Sequence, residues 1–283
     1  MNQKKDLGTY AVNTWCPGCG NFAILTAIKT VLSELAQEGF GLENVVLVSG
    51  IGCHAKIVDY INVNSFYSIH GRVLPVAQGI KIANPKLKVI GFAGDGDCYG
   101  EGLEHLIFAA KRNIDVMMIV HNNRVYGLTT GQYTPTSPLG FKGRSTPFGT
   151  KEPAINPLEL VLASGATFIA RGYTHGIDLL KKIFKESLAH RGFALLDILQ
   201  VCVTYFNMYD YYSKKVYELV NHDVSDYNKA LTKIREWDYN LDAAIALGVF
   251  YKKEKPCFDE NFISEKSLID KDINIKKILE EHI

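Results

Sequence analysis

Short apolar runs alternate along the first 200 residues with segments whose apolar residues recur every three or four positions. The runs predict buried strands, and the recurring pattern predicts amphipathic helices. The predicted strands cover 45–48, 89–93, 116–120, 166–171 and 193–201. The predicted helices cover 21–38, 73–83, 101–112, 156–164 and 176–190. This alternation predicts an α/β protein with a parallel sheet flanked by helices and right-handed crossovers.

Two stretches depart from this alternation. Residues 126–153 are rich in Gly, Pro, Thr and Ser, which predicts a long loop of the kind that is usually functional. Residues 206–283 are rich in Tyr and Lys. Their pattern predicts helices near 226–236, 241–252 and 273–281. We therefore expect one α/β domain over 1–205 and a helical C-terminal extension over 206–283 that packs on this domain or on a partner subunit.

Composition narrows the class of protein. The chain has 283 residues, 47% hydrophobic and 22% charged, with a formal net charge of +1. Without a basic field, binding to nucleic acid or to an anionic membrane is not expected. The polar N-terminus leads into no signal segment and no apolar run could span a bilayer, so we expect a cytoplasmic protein. Six cysteines in a reducing compartment favour metal or redox chemistry over disulfides.

Four potential ligands each follow directly after a predicted strand. They are Cys53, Asp95, Asn123 and Cys202. In an open α/β sheet, ligands bind outside the carboxyl ends of the strands, near the point where the strand order reverses. We therefore expect these four side chains to converge at one edge of the sheet.

The string Gly94-Asp95-Gly96, with Asn123 one βαβ unit later, has the composition of a magnesium and diphosphate site. Mg²⁺ prefers oxygen ligands, often one or two carboxylates completed by phosphates and water. The glycines allow close approach of the backbone to a diphosphate, and the helix that follows offers N–H groups. A tight strand-to-helix turn with a capping Asp is an equally good interpretation of this string alone. A Rossmann site is less favoured because no G-x-G-x-x-G follows a strand.

The cysteines suggest a second site. Cys16-Pro17-Gly18-Cys19 is a C-x-x-C string, which could belong to a redox dithiol, a zinc site or an iron–sulfur site. A thioredoxin-type motif should open a helix after a strand, and the preceding segment is weak as a strand. Four thiolates in all suit Zn²⁺ or [4Fe–4S], and spacing does not choose between them. The other two cysteines, Cys98 and Cys257, are expected to be unremarkable free thiols or buried apolar residues.

Several strings together are specific to one family. They include Trp15-Cys16-Pro17-Gly18-Cys19-Gly20, Gly50-Ile51-Gly52-Cys53, His70-Gly71-Arg72, Gly94-Asp95-Gly96-Asp97, and Asn122-Asn123 with Tyr126-Gly127-Leu128-Thr129. In order and spacing they resemble the β subunit of 2-oxoacid:ferredoxin oxidoreductases over roughly residues 10–205. The region after about residue 210 adds nothing to the resemblance.

The resemblance implies a thiamine diphosphate-binding fold with three cofactors: thiamine diphosphate, Mg²⁺ and one [4Fe–4S] cluster. It implies that Mg²⁺ is bound by the side chains of Asp95 and Asn123 and by the carbonyl oxygen of Val125. The implied cluster ligands are Cys16, Cys19, Cys53 and Cys202. The other residues implied around the thiamine are Gly52, Cys53, His70, Gly94, Gly96, Asp97, Tyr126 and Gly127. For His70, a simple role at the entry to a helix is equally possible.

The implied reaction is the oxidative decarboxylation of a 2-oxo acid to acyl-CoA and CO₂, with electrons passing singly through the cluster to ferredoxin. The expected partners are an α (or fused γα) subunit, ferredoxin, the 2-oxo acid and coenzyme A. The family's activating glutamate belongs to the other subunit, so no catalytic base is assigned here and the chain alone is expected to be inactive. Lys56 is a candidate contact for a substrate carboxylate, and a solvated surface lysine is the alternative.

Two other interpretations remain open at this point. One is a zinc-stabilised nucleotide-binding module without redox activity, which uses the same four cysteines structurally and predicts a colourless protein. The other is half of a non-oxidative thiamine diphosphate decarboxylase. It needs Asp95 and Asn123 but leaves the placement of the cysteines accidental.

Overall fold

The apolar runs of the sequence form one sheet in the computed structural model, which describes residues 7–262 and 274–281. The strands are β1 (Val45–Ser49), β2 (Asn64–Tyr67), β3 (Lys88–Gly94), β4 (Met117–Asn122), β5 (Phe168–Tyr173), β6 (Ala194–Leu199), β7 (Val216–Glu218) and β8 (Ile245–Lys252). The helices are α1 (Asn21–Gln37), α2 (Val73–Ala83), α3 (Leu103–Arg112), α4 (Pro157–Ala163), α5 (Ile177–Ala189), α6 (Tyr209–Lys215), α7 (Tyr227–Glu236) and α8 (Ile275–Glu280). Within these described ranges, no helix is long and apolar enough to cross a membrane.

The sheet has the order β2-β1-β3-β4-β6-β5-β8-β7, and its first six strands are parallel. Helices α1 and α5 pack together on one face, whereas α2, α3, α4 and α7 form a row on the other. Successive residues of a strand point to opposite faces. Leu47 of β1 therefore joins the core beneath α1, while Val48 joins the core on the other face. Because both faces are covered, the central strands are apolar throughout.

The predicted fold class is confirmed, since all five predicted strands and all five predicted helices of the first 200 residues are present within a few residues of the expected ends. The predicted long loop is also confirmed, because no helix or strand lies between Asn122 and Pro157. Strand β2 was not predicted. It is a short edge strand whose four residues are all exposed, so it lacks the apolar pattern of a buried strand.

The predicted helix over 241–252 is wrong, because this segment contains β8, which runs antiparallel to β5. Strand β8 lies between β5 and β7 and is buried on both faces, which gives it an unbroken apolar run. Such a run cannot be distinguished from a buried helix by periodicity alone. The helices expected near 226–236 and 273–281 are confirmed as α7 and α8. The domain boundary at residue 205 stays a prediction.

Candidate functional site

The carboxyl ends of four adjacent strands form one edge of the sheet. Strands β1, β3, β4 and β6 are consecutive neighbours in the sheet. The chain leaves them at Ser49, Gly94, Asn122 and Leu199 and reaches, within a few residues, Cys53, Asp95, Asn123 and Cys202. The expected convergence of these four residues is therefore confirmed, and it follows from the parallel pairing of the strands.

A cleft of about 480 Å³ opens at this edge, and we call it the main cleft. It is lined by all eleven residues that the family resemblance implies around thiamine diphosphate: Gly52, Cys53, His70, Gly94, Asp95, Gly96, Asp97, Asn123, Val125, Tyr126 and Gly127. Four further lining residues were not predicted, namely Ile51, His54, Leu128 and Thr129. The structure brings the predicted residues together, while their individual roles stay predictions.

The carboxylate of Asp95 is a buried charged group in the lining of the main cleft. Only 1% of the residue is exposed, and Oδ2 accepts hydrogen bonds from the hydroxyls of Thr134 (2.5 Å) and Thr136 (2.7 Å). Burial raises the pKa of Asp95 from 3.8 to about 6, against the opposing effect of these two hydroxyls. The carboxylate of Asp197 makes a smaller contribution in the same direction as burial. Such a carboxylate gains most from a bound cation, because a cation offsets its lost hydration.

The segment from Asn123 to Val125 forms a tight turn beside Asp95. Arg124 adopts φ +62°, an uncommon conformation for a residue other than glycine, and its buried side chain is fixed by hydrogen bonds. This conformation lets Oδ1 of Asn123 accept a hydrogen bond from the Val125 N–H at 3.1 Å. Nδ2 of Asn123 donates to Gln200 at 2.9 Å, which fixes the orientation of the amide. Both Asn123 and Val125 line the cleft, so the donors available there are a carboxylate and neutral oxygens.

A buried histidine–aspartate pair supports the walls of the main cleft. Nε2 of His54 lies 3.0 Å from Oδ2 of Asp97, and the other oxygen of Asp97 accepts the N–H of Gly71. His70 lies nearby at the surface, with Nδ1 3.1 Å from a carboxylate oxygen of Glu101. Asp97 therefore joins the turn after β1 to the turn before α2. His54 was not predicted as a site residue because it belongs to no spacing pattern. Only its position directly after Cys53 could have indicated that it lies at the site.

Behind the main cleft lies a second space of about 450 Å³, which we call the cysteine cavity. Its lining includes all four predicted cluster ligands, Cys16, Cys19, Cys53 and Cys202. Lys56 also lines this cavity, rather than the main cleft, and its Nζ donates to Oγ1 of Thr14 at 2.9 Å. The two remaining cysteines, Cys98 and Cys257, are buried and line neither space.

Two thiols of the cysteine cavity are held in the neutral form at pH 7. Burial raises the pKa of Cys19 to about 12, and the neighbouring thiols raise it further. Burial also raises the pKa of Cys53, while the ammonium of Lys56 opposes this. Side-chain groups of Gln200 and Thr204 each lie 3.4 Å from a sulfur, on Cys19 and Cys16 respectively. In the part of the chain that the structure describes, no three His, Cys, Asp or Glu side chains are grouped so that they could hold a metal ion.

The main cleft and the cysteine cavity share a wall. Three residues line both spaces: Cys53, Asn123 and Gly127. A β-carbon at Gly127 would lie 3.7 Å from the sulfurs of both Cys53 and Cys202. The shared wall therefore contains one of the four thiols, that of Cys53, and Gly127 brings the main cleft close to the sulfur of Cys202 as well.

Comparison with known proteins agrees with this geometry. Residues 50–198 match the family model of the thiamine pyrophosphate enzyme, C-terminal TPP binding domain. Residues 202–266 match the family model of the C-terminal part of the pyruvate ferredoxin oxidoreductase beta subunit. The fold and the site thus define a thiamine diphosphate-binding enzyme subunit. The chain belongs to the family of 2-oxoacid:ferredoxin oxidoreductase β subunits.

The relatives are similar along most of their length. The β subunit of Saccharolobus solfataricus 2-oxoacid:ferredoxin oxidoreductase is 44% identical over 269 residues, covering 90% of this chain and 87% of the relative. That of 2-oxoacid:ferredoxin oxidoreductase 1 from Aeropyrum pernix is 43% identical over 251 residues, covering 84% and 77%. A solved 2-oxoglutarate:ferredoxin oxidoreductase from Magnetococcus marinus superimposes with a TM-score of 0.87 at 31% identity, covering 99% of this chain and 96% of that one.

Proposed function

We propose that this subunit, together with an α (or fused γα) partner, oxidatively decarboxylates a 2-oxo acid to acyl-CoA and CO₂ and passes the electrons singly through a [4Fe–4S] cluster to ferredoxin. The observation that carries the proposal is the wall shared by the main cleft and the cysteine cavity. Cys53, Asn123 and Gly127 would lie between a cofactor held in the main cleft and a cluster held by the cysteines.

The donor set of the main cleft fits thiamine diphosphate held through Mg²⁺. Asp95 offers a buried carboxylate, Asn123 an amide oxygen and Val125 a backbone carbonyl, and diphosphate oxygens would complete an oxygen shell. A β-carbon at Gly94 or Gly96 would collide with His54 or Tyr126, so glycine at these two positions keeps the cleft lining in place. When bound, thiamine diphosphate supplies the electron sink for decarboxylation. The protein's part is to bind and orient this cofactor and to exclude water.

The names of the relatives support a cluster over zinc. The four thiols line one space, and four thiolates suit either Zn²⁺ or a [4Fe–4S] cluster. The relatives are named ferredoxin oxidoreductases. Transfer of electrons to ferredoxin requires a redox-active group, which Zn²⁺ is not. Cluster binding has to displace thiol protons, which couples assembly to pH.

The proposed partners follow from the relatives. The Magnetococcus marinus enzyme was solved with 2-oxoglutarate, coenzyme A and succinyl-CoA bound, which supports a 2-oxo acid and coenzyme A as substrates here. We assign the activating glutamate to the α subunit, so activity requires both chains. Ferredoxin docks close to the cysteine cavity. A cytoplasmic location is part of this proposal.

Metal analysis of anaerobically purified protein tests the proposed function. We expect a brown complex with about four irons and four sulfides per chain of this subunit, together with bound thiamine diphosphate. A visible spectrum and iron, sulfide and zinc determinations measure this directly. A colourless protein with about one zinc per chain, unchanged by anaerobic reconstitution, would instead support the zinc-stabilised module.

Replacing Lys56 with Met tests its proposed contact with the substrate carboxylate. Loss of a charge-assisted contact should raise KM for the 2-oxo acid about 10-fold to 100-fold and leave KM for coenzyme A unchanged. Steady-state kinetics of the complex with ferredoxin as acceptor measures both constants. Thr14→Val is the matched control, because it removes the hydrogen bond to Lys56 and keeps the charge. Equal KM values in Lys56→Met and wild type would exclude Lys56 from the substrate site and leave it as a lining residue of the cysteine cavity.

A further inference from the structure

A network of buried polar contacts connects Asp95 to the C-terminal part of the sequence. The hydroxyl of Thr136 lies 2.7 Å from Oδ2 of Asp95 and 3.0 Å from Oδ1 of Asn122, and these two acceptors share its one proton. Nδ2 of Asn122 donates to Oδ1 of Asp197 at 3.0 Å. The hydroxyl of Tyr239 donates to Oδ2 of Asp197. All five residues are buried, so no solvent competes for these hydrogen bonds.

A second route joins the same two ends through the backbone. The guanidinium of Arg124 donates from Nε to the carbonyl of Thr136 and from Nη2 to the carbonyl of Tyr239, both at 2.6 Å. Arg124 immediately follows Asn123 and precedes Val125, the two other proposed metal ligands. The backbone of Tyr239 therefore helps to hold the turn that carries those ligands.

A buried positive charge, that of Arg171, is covered by residues of the same C-terminal segment. Arg171 is fully buried, and its Nε lies 3.9 Å from Oδ2 of Asp197. Among the described residues, Nε and Nη1 of Arg171 have no hydrogen-bond partner. The guanidinium instead lies over the rings of Trp237 and Tyr239, 5.0 and 5.1 Å from their centroids. These rings offer a cation–π contact in place of water, so the C-terminal segment covers a buried charge beneath the metal site.

We propose that Tyr239 and Asp197 are positioning residues that hold the carboxylate of Asp95 in place for Mg²⁺. This inference rests on the proposed role of Asp95 as a metal ligand. With Oδ2 of Asp95 fixed by Thr134 and Thr136, the carboxylate cannot rotate, and a ligand with one orientation loses little entropy when the metal binds. Tyr239 and Asp197 support that orientation through Asn122, and Tyr239 also supports it through Arg124, which binds the carbonyl of Thr136. Tyr239 thus contributes to the affinity for the metal from the segment after residue 202.

Tyr239→Phe tests the inference because it removes one hydroxyl and keeps the ring over Arg171 and Arg124. The experiment uses the purified complex with the α subunit, from which the cofactor has been removed. MgCl₂ is added in the presence of thiamine diphosphate, and quenching of the protein fluorescence measures cofactor binding. We expect the Mg²⁺ midpoint to rise about 10-fold, the value for loss of one hydrogen bond to a buried charge. Saturating Mg²⁺ should restore full cofactor binding. Tyr251→Phe is the control, since Tyr251 is a buried tyrosine of β8 that packs on Tyr227 outside this network.

Two further variants separate positioning from a general loss of stability. Thr136→Val removes the hydroxyl next to Asp95 from the network. In the double variant with Tyr239→Phe, the increase in the Mg²⁺ midpoint should be smaller than the sum of the increases in the two single variants. Asp197→Asn keeps an acceptor for Tyr239 and should shift the Mg²⁺ midpoint in the same direction, even if Tyr239→Phe does not fold. An unchanged midpoint in folded Tyr239→Phe or Asp197→Asn, with a lower melting temperature alone, would overturn the inference. Wild-type binding that needs no Mg²⁺ would overturn the metal assignment itself.

Discussion

Replacing Asp95 with Asn is expected to abolish Mg²⁺-dependent binding of thiamine diphosphate and, at pH 7, to make the cofactor-free chain more stable. The amide can still accept hydrogen bonds from Thr134 and Thr136, so the local structure is kept. It lacks the charge that attracts a divalent cation, and Asp95 supplies the only carboxylate in the proposed ligand set. Isothermal titration of the complex with thiamine diphosphate and Mg²⁺ measures the loss.

The gain in stability follows from the direction of the pKa shift. Because the pKa of Asp95 rises from 3.8 to about 6 on folding, the folded chain binds this proton more tightly than the unfolded chain. Ionisation therefore destabilises the cofactor-free fold progressively between about pH 4 and pH 6, by about 2–3 kcal/mol at pH 7. The Asn variant escapes this penalty, and its advantage in urea unfolding should disappear near pH 4. Equal stability at pH 7 would contradict the buried-charge interpretation. Asp259→Asn serves as a control, because Asp259 is buried but lines neither space.

Replacing Cys202 with Ala is expected to remove the visible absorbance of the cluster and to lower ferredoxin reduction about 100-fold or more. Cys202 follows β6 and lines only the cysteine cavity. Binding of thiamine diphosphate in the main cleft should therefore persist. The comparison of cofactor affinity with the rate of ferredoxin reduction, made on one anaerobic preparation, measures both effects.

Cys98→Ala is the matched control for this experiment. Cys98 is fully buried, whereas Cys202 is half-buried, and Cys98 lies in the core beneath α2 and α3 rather than in the cysteine cavity. Its replacement should leave both the spectrum and the electron transfer unchanged. A Cys202→Ala protein that remains brown and reduces ferredoxin at the wild-type rate would remove Cys202 from the ligand set.

The parts of the site that could be predicted are those that follow from strand order. Parallel strands buried on both faces give continuous apolar runs, and the first residues after such runs must lie at one edge. That reasoning places Asp95, Asn123 and Cys202 together without any knowledge of distances. The same reasoning does not resolve the position of Lys56. The spacing of Lys56 from Cys53 indicates that it lies near the site, but not which of the two spaces it lines.

The contacts that could not be predicted join residues far apart in the sequence. Tyr239 reaches Asp197 only because β8 enters the sheet beside β5, and a strand buried on both faces has no period that distinguishes it from a helix. The pair of His54 and Asp97 likewise depends on two turns that meet in space. Buried polar pairs of this kind leave no regular pattern in the chain.

The position of β8 has a consequence for how the protein is made. Translation proceeds from the N-terminus, so Asp95 and the four cysteines leave the ribosome before Trp237, Tyr239 and β8 exist. Until those residues arrive, β5 remains an open edge of the sheet and Arg171 lacks the rings that cover it. A nascent chain thus contains every proposed ligand before Tyr239 is present to support Asp95. The support of Asp95, the proposed metal ligand, is therefore complete only once the chain has been made as far as β8.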